Sequence, residues 1–183
     1  MPKNQSSQIK VMGIGGGGSN AVNYMFEHGI NGVDFVICNT DSQALEASPV
    51  PIKIQLGASL TEGLGAGANP EVGRKAAEES ADRITELLDA NTKMLFLTAG
   101  MGGGTGTGAA PVIAEIAREK GILTVGVVTI PFSTEGGFRK KYADDGIAEL
   151  KKYVDTLLVI NNEKLIEVYG DLTFTQAFGK ANE

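Results

Sequence analysis

Residues 94–120 read MLFLTAGMGGGTGTGAAPVIAEIAREK, and three patterns follow one another in that stretch. MLFLTA is a largely apolar run of strand length, the pattern of a buried strand. Residues 102–108 hold five glycines in seven positions, broken only by Thr105 and Thr107. AAPVIAEIAREK then returns to helical spacing, and Gly121 supplies its C-terminal stop. A glycine that only makes a tight turn is a plausible reading for Gly121 or Gly170. A run this poor in side chains is costly to order without a ligand. Bare backbone leading into a helix N-terminus offers unpaired N–H groups and partial positive charge, which is what a phosphate needs.

The same order occurs earlier. IKVMGI is a short apolar run that ends in glycines, and SNAVNYMFEHG places Ala21, Val22, Met25 and Phe26 at helical spacing. Between them, Gly13-Ile14-Gly15-Gly16-Gly17-Gly18 fits G-x-G-x-x-G, a weak dinucleotide signal when taken alone. A simple dinucleotide site leaves the second glycine loop, about ninety residues later, without a purpose. Two strand–glycine–helix units imply extended phosphate contacts. No G-K-[ST] follows the first loop, so the phosphate lysine of ordinary ATPases is absent. Backbone amides, two helix dipoles and a Mg²⁺ ion are the available sources of compensating charge.

Around these units the chain keeps alternating. VDFVICN reads as a strand, NTDSQ as a polar connection, and IKIQL as a short strand. GASLTEGLGAGAN, residues 57–69, contains four glycines and reads as a long loop, a length that points to function. Asn69 as cap, Pro70 at the first helical position and Glu71 in the first turn open a helix that runs to about Leu88. ILTVGVVTI is a strand and PFSTEGG a loop. A charged helix follows from about Phe138 to Tyr153, with Tyr142, Ile147, Leu150 and Tyr153 on one side, and TLLVIN is a strand. EKLIEVYG and TFTQAFGKANE read as helix starts. The expected fold is α/β: a Rossmann-like parallel sheet with helices on both faces, in one domain after a flexible polar leader at residues 1–8. Ligands of such sheets bind beyond the carboxyl ends of the strands, where every glycine loop falls.

Composition excludes other classes. The 183 residues carry a formal net charge of -6, so no basic field attracts nucleic acid. No signal-peptide or membrane-span pattern occurs, which points to a cytoplasmic protein without direct membrane contact. Cys38, the single cysteine, sits in an apolar run and reads as a small buried hydrophobe. His28 precedes a glycine that ends a helix, and no metal site is available from Cys and His side chains. Two alternatives remain to be weighed. A dehydrogenase-type NAD domain would use an acid at the end of its second strand, whereas Asp34 precedes that strand; a non-catalytic interaction module would not distinguish guanine from adenine.

GGGTGTGAAP resembles the glycine-rich motif of the tubulin/FtsZ family of cytoskeletal GTPases, in its bacterial spelling. GIGGGGSNAV, NTDSQAL, GLGAGANPEVGRKAAEES, TAGMGGGTGTGAAPVIA, GVVTIPF and AFGKANE resemble further family segments in order, over nearly the whole chain. The resemblance implies a GTP-binding domain over residues 9–183 that takes GTP or GDP with Mg²⁺. It places Gly16, Gly17 and Asn20 against the α- and β-phosphates, and Ala66, Gly67 and Ala68 at the γ-phosphate. Gly103, Gly104, Thr105 and Gly106 would wrap the phosphates; Thr129 and Pro131 would flank the sugar, with Glu135 and Arg139 on the ribose. Phe178 would stack on guanine while Asn162 and Asn182 bond its polar edge, a task that suits an amide's paired donor and acceptor. Read without the resemblance, Phe178 also suits a helix core, Glu135 and Arg139 an i, i+4 surface pair, and Asn162 a turn. Family members often carry proline where this chain has Asn161.

The resemblance further implies head-to-tail filaments at the mid-cell division site, in which acids from one subunit's second domain reach the γ-phosphate held by its neighbour. It covers about half of the family protein. The chain stops about where the family's central helix begins, so the second domain, the hydrolytic acidic loop, and the regions that bind division-site regulators and membrane adaptors are expected to be absent. Such a chain should bind GTP or GDP, leave GTP unhydrolysed when alone, and cap filaments of the longer protein.

Overall fold

The structure, a computed structural model, describes residues 7–89, 91–130, 137–161 and 166–170. One sheet of seven strands organises them, in the order β3-β2-β1-β4-β5-β6-β7. The strands are β1 (Ile9–Ile14), β2 (Asp34–Asn39), β3 (Ile52–Gln55), β4 (Met94–Gly100), β5 (Leu123–Ile130), β6 (Thr156–Asn161) and β7 (Ile166–Gly170). β1 to β6 are mutually parallel, as expected for strands separated by helices. Period-2 alternation sorts their side chains. Met12, Ile14, Val36 and Cys38 face the larger core, under α4 (Pro70–Glu79), α5 (Ala81–Asp89), α6 (Thr105–Glu119) and α7 (Gly137–Lys151). Val11, Phe35 and Ile37 face the other, under α1 (Gly15–Glu27) and α2 (Ser42–Glu46).

Five expectations need correction. EKLIEVYG does not start a helix: residues 166–170 form β7, antiparallel to β6 with Leu158 opposite Val168. Without β7, β6 would present an unpaired backbone edge, and the β-branched residues of IEV suit a strand. The helices after both glycine loops begin earlier than their apolar periodicity, α1 at Gly15 and α6 at Thr105, because tertiary packing outweighs the poor helix propensity of glycine. The helix read from Pro70 to Leu88 breaks at Ser80, whose hydroxyl accepts the Gly57 N–H at 3.0 Å and so ties the break to the end of β3. Within the long loop, α3 (Ala58–Thr61) makes one turn, and NTDSQ leads into α2 with Asp41 as its cap. The TFTQAFGKANE segment lies outside the described residues.

Glycines set how closely these elements approach. A Cβ at Gly18 of α1 would overlap the Thr98 carbonyl oxygen of β4, and one at Gly108 of α6 would overlap the Pro70 carbonyl oxygen of α4. Gly73 of α4 lies in the same way against Gly104. Both partners at each contact are backbone, so no rotamer change relieves an added methyl. Gly103 has nothing within 4 Å of its missing Cβ. Gly18→Ala and Gly108→Ala should each lower the unfolding free energy by about 3 kcal/mol or more. Gly103→Ala should change it by less than about 0.5 kcal/mol. Urea denaturation of the three variants checks the contrast.

Candidate functional site

β1 and β4 are neighbours, yet the helices that follow them cover opposite faces of the sheet. This is the topological switch point, where a crevice opens beyond the carboxyl ends of the strands. The starts of α1 and α6 meet there: a Cβ on Gly15 would sit 3.0 Å from the Gly106 nitrogen. Neither helix has a side-chain cap or an acidic residue in its first turn. By contrast, Asp41 caps α2, and α4 has both the Asn69 cap and Glu71. In α2 and α4 a side-chain oxygen thus takes up first-turn amides. The two at the crevice leave theirs, with the positive ends of their dipoles, for an anion.

The glycines of the crevice divide into two groups. Gly16 and Gly17 are exposed, as is Asn20 one turn further along α1, and Gly103 is partly exposed. Gly16 and Gly103 have no atom within 4 Å of a missing Cβ, so their bare backbone faces open space. Gly104 and Gly106 are buried: a Cβ would lie 2.8 Å from the Ala66 Cβ at the first and 2.6 Å from the Gly100 oxygen at the second. These two, with Thr105, contribute helix-start backbone held in fixed orientation. The threonine hydroxyls brace the loop. Thr105 Oγ1 lies 2.7 Å from Thr40 Oγ1, and Thr107 Oγ1 accepts the Gly102 N–H at 2.7 Å.

A third wall comes from the loop between β3 and α4. Gly65, Gly67 and Ala68 have φ of 93°, 61° and 60°, and the left-handed region is strained for an alanine. Ala66 is buried against Gly104, whereas Gly67 and Ala68 are exposed, with N–H groups that make no hydrogen bond among the described residues. The loop is moored to the segment after β2: Ser42 N–H donates to the Gly63 carbonyl at 3.1 Å, and Thr61 Oγ1 to the Thr40 carbonyl at 3.4 Å. Thr40 therefore joins the α6 start to the long loop while wholly buried, a role that the sequence reading missed. A polar NTD at the carboxyl end of an apolar strand is the signal that marks it.

The remaining expected site residues are only partly covered. Thr129 is exposed at the end of β5, and its carbonyl accepts the Met101 N–H at 2.7 Å. Arg139 is exposed near the start of α7. Pro131, Glu135, Asn162, Phe178 and Asn182 lie outside the described residues.

Asp34 is the first residue of β2, at the sheet end opposite the crevice, 3.8 Å from the Lys10 ammonium and accepting the Ser7 N–H at 2.9 Å. It is out of reach of a nucleotide at the switch point, which counts against the dehydrogenase reading. His28 follows α1 at that far end, stacked on Tyr24 with ring centroids 4.0 Å apart. Among the described residues, no three His, Cys, Asp or Glu side chains gather to hold a metal ion, and no helix is long and apolar enough to cross a membrane.

Residues 8–170 match the family described as the Tubulin/FtsZ family, GTPase domain. The chain is 58% identical over 179 residues to the cell division protein FtsZ of Coxiella burnetii, covering 97% of this chain and 46% of that protein. Among solved structures, an empty FtsZ dimer from M. jannaschii superposes with a TM-score of 0.83 at 43% identity, over 98% of this chain and 52% of that one. The GDP-bound monomer of CetZ1 from Haloferax volcanii gives 0.77 at 26% identity, over 96% of this chain and 56% of that one. The chain thus spans about half the length, or less, of the relatives it matches.

Cys38 is fully buried at the end of β2, and burial pushes its thiol up to about 12. Iodoacetamide at pH 8 should leave it unmodified in the folded chain and alkylate it in urea, as mass spectrometry would show. Modification of the native protein would contradict its inert role.

Proposed function

Because this chain belongs to the tubulin/FtsZ family, we propose that it is the guanine-nucleotide-holding part of a cytoplasmic cell-division GTPase that assembles head to tail at mid-cell. The observation that carries the nucleotide reading is the pair of uncapped, acid-free helix starts meeting at the switch point, with unpaired Gly67 and Ala68 amides beside them. In this reading, Gly16 and Gly17 seat the inner phosphates, Gly103 to Gly106 wrap them, and Gly67 and Ala68 reach the terminal one. The open space at Gly16 and Gly103 lets phosphate oxygens approach to hydrogen-bond distance, where a Cβ would stand in the way. Thr129 and Arg139 lie toward the sugar. Pro131, Glu135, Asn162, Phe178 and Asn182 complete the ribose and base contacts.

Mg²⁺ neutralises phosphate charge when bound. Among the described residues no three His, Cys, Asp or Glu side chains gather to hold it, and in this reading the phosphates would supply its ligands. Hydrolysis needs a group that orients the attacking water, which the family resemblance assigns to acidic side chains. Asp41, whose Cβ would be 3.9 Å from a Cβ on Gly65, already gives its Oδ1 to the N–H groups of Gln43 and Ala44 as the cap of α2. As the family resemblance implies, the hydrolytic acids come from an adjoining subunit in a heterologous stack, which also makes assembly and turnover interdependent. Division regulators and membrane adaptors act through other parts of the assembly.

Calorimetric titration with GDP, ADP and NAD in the presence of Mg²⁺ tests this reading. Saturable binding of GDP alone is expected, with Gly103→Ala folded yet at least about tenfold weaker, since its methyl occupies the phosphate approach. Equal binding of ADP, or no binding of GDP, would remove the reading. GTP turnover by the chain alone should stay near background, and brisk turnover would remove the shared-site mechanism.

A further inference from the structure

We infer that Gly146 is a positioning residue for the nucleotide site, holding the glycine loop before α6 closed through Thr107; its part in binding rests on the nucleotide reading above. Gly146 lies buried in the middle of α7, on the face that carries Ala143 and Leu150. Glycine is the poorest helix former after proline, so a mid-helix glycine calls for a packing reason. The reason is proximity: a Cβ at Gly146 would lie 2.7 Å from Thr107 Cγ2 and 3.0 Å from Met101 Sδ.

Thr107 is buried in the first turn of α6, and its two branches do different work. The methyl packs on Gly146, while the hydroxyl on the same Cβ accepts the Gly102 N–H at 2.7 Å. One torsion moves both branches, and a β-branched residue has few alternative wells. Displacing the methyl therefore swings the hydroxyl away from Gly102, next to the Gly103 and Gly104 backbone of the proposed phosphate seat. The Met101 thioether is flexible and yields more easily. α7 also carries Arg139 near its start, so the contact that closes the phosphate loop registers the helix that bears a ribose contact. An alanine at Gly146 would favour α7 as an isolated helix while opening the loop that α7 supports.

Three variants test this: Gly146→Ala, Thr107→Ser, and both together. Two measurements are made, GDP affinity by calorimetry and hydrogen exchange of the Gly102 amide without nucleotide. Gly146→Ala is expected to bind GDP about fivefold to tenfold more weakly, the worth of one net hydrogen bond, with faster exchange at Gly102. The double variant removes the crowded methyl and keeps the hydroxyl, so it should recover both, and recovered protection of the Gly102 amide is the readout that reports on the hydroxyl itself. Unchanged affinity and exchange in Gly146→Ala, or a defect that persists in the double variant, overturns the inference. If Gly146→Ala fails to fold, recovery of folding in the double variant supports the contact, and failure of both overturns it. A wild-type chain that binds no GDP removes the nucleotide reading and Gly146's part in binding, while exchange at Gly102 still decides whether the loop contact operates.

Discussion

The structure depends on backbone packing against backbone with no side chain between. α1 meets β4 at Gly18, α6 meets α4 at Gly108 and Gly73, and a methyl at any of the three would overlap a carbonyl oxygen. Such contacts admit no rotamer adjustment, so they locate helix axes more firmly than side-chain packing does. What they locate is two sets of unpaired amides facing one crevice. Orientation is fixed when the chain folds rather than when a ligand arrives, so an anion meets donors already in place.

Around that rigid centre, a short polar segment does the joining. Thr40 shares its hydroxyl with Thr105 and its carbonyl with Thr61, and Ser42 takes the Gly63 carbonyl. Three segments distant in sequence are thereby referred to one point at the end of β2. In the proposed reading, attraction of phosphate to this site is local. The chain carries a net charge of -6, and the crevice walls are glycine, alanine and threonine, so amides and helix ends supply the positive potential at short range.

The sheet treats its two edges differently. On one side β7 turns back antiparallel and pairs with β6. On the other, β3 has no further strand beside it among the described residues, and two side chains reach its carbonyls: Arg83 of α5 donates to Lys53 O and Ser80, between α4 and α5, to Gln55 O, each at 3.4 Å. The side chains over β3 blunt an edge that would otherwise be open to a strand from another chain. At the sheet end away from the crevice, Lys10 is withdrawn from water beside Asp34, and that burial lowers its ammonium pKa. The glycine-lined helix starts and the Lys10–Asp34 pair thus occupy opposite ends of the same strands.

The sequence by itself determined the α/β class, the strands from β1 to β6 and the presence of glycine-lined helix starts, because period-2 and period-3.6 patterning and cap residues such as Asn69 are local properties of the chain. It also placed Cys38 inside and Asp34 at the wrong end of its strand for a ribose. Only the tertiary structure decided which glycines face open space and which are packed, since Gly103 and Gly104 are identical in sequence and differ only in what approaches them. It likewise decided that α1 and α6 begin inside their glycine runs, that residues 166–170 become a strand on a vacant edge, and that Thr40 is the joint of the site. Each of these outcomes depends on contacts between residues far apart in the chain, and short-range propensity carries no record of them.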